Sequence, residues 1–229
     1  MTTLFPTVSA QQRQRFGLVL ILGASLALSL ALIVFRVFLT HRVSFVFLLW
    51  NLFLAAIPLG LTLLLGLMTP ETRRRWLLPV GALWLLFFPN APYILTDLLH
   101  LGEYPGSPRW YDLTLILTAA WNGLMLGYAS LLDMQRFVEE RLSWAAGWAF
   151  STFTLMLSAY GVYLGRFLRW NSWDIVTNPF SLAYDILDTL LRPAHHPRAW
   201  GVTLLLGVFL LLGYLTVRAL GRLQVAAEE

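Results

Sequence analysis

The run Phe87-Phe88-Pro89-Asn90-Ala91-Pro92-Tyr93-Ile94-Leu95-Thr96-Asp97-Leu98-Leu99-His100-Leu101 begins as an apolar stretch, then presents an amide, a phenol, a carboxylate and an imidazole. On an unbroken helix Asn90, Tyr93, Asp97 and His100 fall within an arc of about 80°. Such a face could hold a polar ligand. Asp97 and His100 could also move a proton near neutral pH, or share a metal ion with Glu103. Arg166 and Arg169 close a later apolar run. They could snorkel, pair with Asp97, Asp112 or Asp174, or grip an anion bidentately. Asn122, beside Trp121 in the middle of another apolar run, suits an interhelical hydrogen bond as well as a ligand. The candidate binding set is Asn90, Tyr93, Asp97, His100, Asp112, Asn122, Arg166, Arg169 and Asp174.

Several chemistries find no support in the residues. The chain has no cysteine, which removes disulfides, thiolate metal sites and thiol catalysis together. Its histidines are His41, His100, His195 and His196, and no HExxH pattern occurs. His195 and His196, between Pro193 and Pro197, read as solvated loop residues. There is no GxSxG elbow, no Walker loop and no dinucleotide fingerprint. No metal and no cofactor is expected, and the balance leans away from an enzyme. All bases are arginines, spread over segment ends rather than gathered in a patch, so a nucleic-acid partner is not expected despite the net charge of +4.

The elements that must carry these residues are membrane helices. Hydrophobic residues form 58% of the 229 positions and charged residues 12%, against about half and a quarter in soluble domains. The apolar residues gather in blocks of about 20 or more, the length that crosses a bilayer. Six spans are expected: Gly17–Leu39, Ser44–Met68, Trp76–Leu95 or slightly beyond, Tyr111–Leu132, Trp144–Leu168 and Trp200–Leu220. The fold class is an all-α polytopic bundle, and residues 1–229 read as one integral-membrane domain.

Two features interrupt the regular pattern. Pro89 and Pro92 cannot continue a helical hydrogen-bond ladder, so the third span should break at Pro89-Asn90, with Asn90 as N-cap of an outer half-helix. Freed backbone at that depth must face protein or water. The segment Pro179–Leu191 places Phe180, Ala183, Ile186, Leu187, Leu190 and Leu191 on one face, opposite Ser181, Asp185 and Asp188. It reads as an amphipathic interfacial helix. In the fifth span Ser151, Thr154, Ser158, Gly161 and Gly165 form a stripe suited to close helix packing. The stretch Asp133–Arg141 carries mixed charges and reads as a solvated helix extension.

With six spans, Arg13, Arg15, Arg73, Arg74, Arg75, Arg136, Arg141, Arg218 and Arg222 share one side. Arg36, Arg42, Arg109, Arg166, Arg169, Arg192 and Arg198 take the other. The Arg73-Arg74-Arg75 cluster, expected in a short loop, sets both termini in the cytoplasm. The first run is too long for a cleaved signal segment and is expected to stay as an anchor.

Trp50-Asn51-Leu52-Phe53-Leu54-Ala55 with Pro58, Phe88 to Asp97, Trp110-Tyr111-Asp112, and Gly161 to Asp174 together carry a resemblance. The chain resembles the bacterial membrane-protein family called domain of unknown function 1361 (DUF1361). The resemblance implies a multi-pass fold and a bacterial plasma (inner) membrane location, and supplies no catalytic residues. The reading expected to lead is a polar site facing the extracytoplasmic side, taking a small anionic or lipid-linked ligand for transport or envelope processing. Two others stay open: a structural or assembly subunit without a ligand, and a membrane enzyme using Asp97 and His100. The lipid bilayer is the expected partner, and self-association is left open.

Overall fold

The structure, a computed structural model, describes residues 10–226 and the side chains of residues 16–221. The side chains of Arg13, Arg15 and Arg222, which enter the expected orientation, lie outside the described residues. The chain runs α1 (Ala10–Thr40), α2 (Phe47–Leu67), α3 (Pro70–Phe87), α4 (Asn90–Tyr93), a 3-10 coil (Ile94–His100), α5 (Arg109–Arg141), α6 (Trp144–Phe167), α7 (Asp174–Thr177), α8 (Pro179–Leu191) and α9 (Pro197–Ala226). No strand occurs among the described residues. The expected all-α architecture is what forms.

Five stretches are long and apolar enough to cross a membrane: Phe16–Thr40, Phe47–Leu67, Pro70–His100, Arg109–Arg141 and Pro197–Gly221. The expected span over Trp144–Leu168 does form a helix, α6, but it is not among the five. Its Ser, Thr and Gly stripe dilutes its apolar character, and the same stripe lets it pack. Ser151, Thr154 and Ser158 are buried along it.

Helix starts follow local chemistry. Thr69 accepts a hydrogen bond from the Thr72 amide (3.4 Å) and Pro70 takes the first turn, so α3 begins well before Trp76. Arg73, Arg74 and Arg75 therefore sit on the opening turns of a helix, not in a loop as expected. Ser143 caps α6 through the Ala146 amide (3.1 Å). Helix α5 runs on through Asp133–Arg141, and Met134, Gln135 and Phe137 there are buried, so that stretch is packed rather than solvated.

Helix α5 lies at the centre. One apolar cluster joins it to α1, α2 and the chain at Ala91–Ile94 through Ile33, Leu48, Ala55, Leu115 and Ala119. A second joins it to α3, α6 and α9 through Trp84, Phe88, Leu131, Leu155 and Tyr214. Large apolar side chains such as Phe38, Leu78, Phe153 and Leu205 stay exposed around the outside. Buried interiors with an apolar exterior are what a lipid-facing bundle requires.

The third span breaks where the prolines stand. Regular α bonding ends with Phe88 N–H donating to Trp84 O at 2.8 Å, and Ala91 N–H then reaches back only to Phe88 O at 3.1 Å. The backbone stays right-handed through the break, with Phe88 at φ −56° and Pro89 at φ −60°. The chain tightens rather than unwinds. Phe88, Ala91, Pro92 and Ile94 are buried, so the freed groups face protein. Asn90 does not serve as the expected N-cap. Its amide turns back and donates to Phe87 O at 2.9 Å, capping the end of α3 instead.

Candidate functional site

Seven residues of 3-10 coil follow the break, longer than the usual three or four. The winding has a consequence for side chains. At about three residues per turn, positions three apart stand in line. Tyr93 and Thr96 form one row, Asp97 and His100 the next. Arg166, from the last turn of α6, meets both rows. Its Nε donates to Thr96 Oγ1 at 2.8 Å, Nη1 lies 3.0 Å from His100 Nε2, and Nη2 donates to Asp97 Oδ1. Its guanidinium carbon stands 4.5 Å over the Tyr93 ring.

The neighbours complete the set. Asn51 of α2 donates to Asp97 Oδ2 at 2.8 Å, and Thr96 Oγ1 donates to Tyr93 O at 2.6 Å. A guanidinium can only donate, so His100 Nε2 must accept from it. The imidazole proton then sits on Nδ1, which lies 2.7 Å from Glu103 Oε2. With Arg166 on one ring nitrogen and Glu103 on the other, His100 has no nitrogen left to face a cation. Asp97 is fully buried and the Arg166 side chain only 13% exposed. Every nitrogen of this arginine is engaged within the chain.

Beside this network lies a cavity of about 600 Å³. Its polar wall comprises Asn51, Asn90, Tyr93, Asn171 and Ser172. Asn90 and Ser172 are joined at 3.2 Å, which ties the break in the third span to the loop after α6. The apolar wall runs down α6 from Gly165 through Leu157 to Phe153, about 18 Å of helix, and is covered by Leu182, Ile186 and Leu190 of α8. Trp50, Phe153, Trp173 and Ile175 in the lining are exposed, which marks the open side.

Two glycines make the close approach that closes the inner wall. A Cβ on Gly161 would lie 3.0 Å from the Pro89 ring, and one on Gly165 would lie 3.0 Å from the Tyr93 ring. Helix α8 is oriented by its own polarity. Asp185 accepts from Trp170 Nε1 at 2.8 Å, while Phe180, Leu187 and Leu191 on the apolar face are exposed. An apolar face turned outward fits the expected interfacial helix. His196 is not merely solvated; it lies 2.8 Å from Asp188 of α8 and fastens the following loop.

The remaining candidates lie elsewhere. Asp112 does not meet Arg166 or Arg169. It pairs with Arg36 of α1 through Oδ1 at 2.6 Å and Oδ2 at 3.2 Å, and accepts from Ser107 at 2.7 Å. Asn122 donates to Ser25 O at 2.9 Å and Ser29 Oγ at 2.8 Å, in the contact between α1 and α5. Arg169 is exposed, takes φ 63° at the end of α6, and has no ion pair among the described residues. Asp174 is half-buried and holds the turn into α7. The Asn171 amide bonded to it at 2.7 Å keeps its carboxyl below the ordinary value.

Asn51, Thr96, Tyr160, Asn171 and Ser172 belong to the site and are absent from the expected set. Asn51 had a visible signal, as an amide next to Trp50 in an otherwise apolar span. Arg36 reads as one of the bases at span ends, and nothing local marks it as the partner of Asp112.

The fold and site thus define an all-helical membrane protein with a half-polar cavity beside a buried ion-pair network. Residues 50–212 match the family model described as "Protein of unknown function (DUF1361)". The match spans more than half of the chain, which belongs to that family. No curated protein and no solved structure matches it.

Proposed function

We propose that this is a multi-pass protein of the bacterial inner membrane that takes a lipid-linked ligand into the cavity. The ligand's polar end would sit at Asn90, Tyr93 and Ser172, on the extracytoplasmic side, with α6 crossing as a sixth span and both termini in the cytoplasm. The observation that carries this reading is the division of the cavity wall. Polar groups gather at one end, about 18 Å of apolar α6 surface runs below them, and the exposed rim turns toward lipid. Its volume of about 600 Å³ falls inside the roughly 300–1,000 Å³ of small-molecule sites.

A small free anion fits less well. Arg166, the expected anion grip, has spent its donors on Thr96, His100 and Asp97. The orientation rests on the far end of the bundle, where Arg73, Arg74, Arg75, Arg136, Arg141 and Arg218 collect. A lipid held in this way would serve transport across the bilayer or a step of envelope processing.

Filling the cavity tests the proposal. Leu157→Trp and Ile186→Trp should lose copurifying lipid, read by native mass spectrometry, while remaining monodisperse and as thermally stable as the parent. If both variants retain the parent's lipids unchanged, the cavity is not the binding site.

A further inference from the structure

The ligand class can be narrowed by asking which hydrogen-bonding capacity the cavity leaves open, an argument that rests on the lipid-binding reading above. The amide nitrogens of the lining asparagines are all held by other groups of the protein. Asn51 donates to Asp97 (2.8 Å), Asn90 to Phe87 O (2.9 Å) and Ser172 (3.2 Å), and Asn171 to Asp174 (3.3 Å). Ser172 Oγ donates to Leu86 O at 3.3 Å, and Trp170 Nε1 donates to Asp185. The inward-held wall therefore offers the carbonyl oxygens of Asn51 and Asn90 and the phenol of Tyr93, which makes no hydrogen bond among the described residues. A half-buried phenol without a partner is costly, so its natural complement is a ligand atom. Tyr160 also lines the cavity, but its Oη is closed off from it, beside Thr189. Asn171 and the indoles of Trp50 and Trp173 stand on the exposed rim, outside this set.

The charges behind the wall point the same way. Three carboxylates lie one bond behind lining residues: Asp97 behind Asn51, Asp174 behind Asn171 and Asp185 behind Trp170. One guanidinium, that of Arg166, lies against the lining, over Tyr93, and it is paired with Asp97. Arg169 is exposed and not part of the lining. A phosphate entering here would meet carbonyl oxygens and a negative background, with no free cation in the lining. An ammonium would find no lining carboxylate either, since each is already bonded to protein donors. Both charges would be desolvated without a counter-ion.

We infer that the cavity selects a lipid whose headgroup is uncharged and rich in hydroxyl donors, of the glycosyl-glycerolipid kind, in preference to phospho- or amino-lipids. Hydroxyls can donate to the Asn51 and Asn90 carbonyls and accept from Tyr93, so both partners end satisfied.

The test uses the full chain in nanodiscs of dioleoylphosphatidylcholine, doped with equal amounts of dioleoyl glucosylglycerol, dioleoyl phosphatidate and a dioleoyl trimethylammonium lipid. Native mass spectrometry after ejection counts the lipid retained. The glucosyl lipid should be retained about tenfold over phosphatidate and over the cationic lipid. Tyr93→Phe, which keeps the ring over Arg166, should lower its retention about threefold without changing the melting temperature. Equal or greater retention of phosphatidate or of the cationic lipid overturns the headgroup inference and leaves the lipid-binding reading standing. Retention of none of the three above the phosphatidylcholine background overturns both. A glucosyl preference that Tyr93→Phe leaves unchanged overturns the assignment to this cavity.

Discussion

Two arginine–aspartate pairs stand at the same end of the bundle, and they are built differently. Arg36 and Asp112 are sealed, at 1% and 3% side-chain exposure, between α1 and α5. Phe45 covers the guanidinium at 4.4 Å, and Ser107 supplies one further bond to the carboxylate. Arg166 and Asp97 also bridge distant segments, but theirs is a network: Thr96, His100, Asn51 and the Tyr93 ring share the charge. One side of it reaches Glu103 at the exposed end of the coil, and another reaches the cavity lining through Asn51 and Tyr93. A sealed pair with few alternatives acts as a lock. A pair with many partners and a cavity beside it can lose one contact and keep its charge solvated by the rest.

That contrast predicts unequal responses. Asp112→Ala should be the most damaging single change, about 3–5 kcal/mol, because it strands a buried guanidinium. Loss of monodisperse protein and a large fall in melting temperature would report it. Replacing both partners, Arg36→Met with Asp112→Leu, should recover much of that loss, since an apolar pair of similar size avoids the desolvation cost. Failure of the double variant to recover would mean the pair does more than lock α1 to α5.

Asp97→Asn should cost less, about 2 kcal/mol, because Arg166 keeps Thr96 and His100. Its signature should instead be altered lipid retention, through Asn51 and Tyr93. A stability loss equal to that of Asp112→Ala would erase the distinction between lock and network.

Gly161→Ala should cost about 1 kcal/mol by pressing on the Pro89 ring, with the effect confined to the cavity side. Hydrogen exchange at Ala91–Leu98 should rise while that of Leu115–Ala120 stays unchanged. The smallest effect belongs to Asp174. Its carboxyl is held below the ordinary 3.8 by the Asn171 amide. A lowered folded value means the contribution is complete above 3.8 and is lost as pH falls through the lowered value. Asp174→Asn should remove that acid limb from proteolysis of the Asn171–Thr177 turn, leaving the turn slightly easier to cut at neutral pH and its cleavage independent of pH below about 4.

The parts of this arrangement differ in how openly the residues announce them. The break was legible because Pro89 and Pro92 lack amide hydrogens, a local fact independent of packing. The pairing of Arg166 with a carboxylate was legible because few charges exist at that level and an unpaired one is expensive. Which carboxylate each arginine takes was not, since Asp97, Asp112 and Asp174 are equivalent until the helices pack. Arg36 shows the limit: one base near the end of a long apolar run reads as a topology signal, and only the approach of α5 makes it a partner. Asn90 departs from its expected role for a related reason, because its amide can cap forward or backward and the bend decides. The cavity was least legible. The two-faced pattern of α8 was visible, but its role as a cover over α6 depends on bonds such as Trp170 to Asp185.

The tight coil at Ile94–His100 has a mechanical meaning. A 3-10 helix rises about 2.0 Å per residue and an α-helix about 1.5 Å, with roughly 20° more twist per residue in the former. Rewinding these seven residues as α-helix would draw His100 about 3.5 Å toward Asn90 and swing it through roughly 140°. The bonds that Thr96, Asp97 and His100 share with Arg166 hold the longer winding in place. Any event that lifts that one guanidinium away would gear a small displacement at Asp97 into a shortening and rotation of the chain that enters α5.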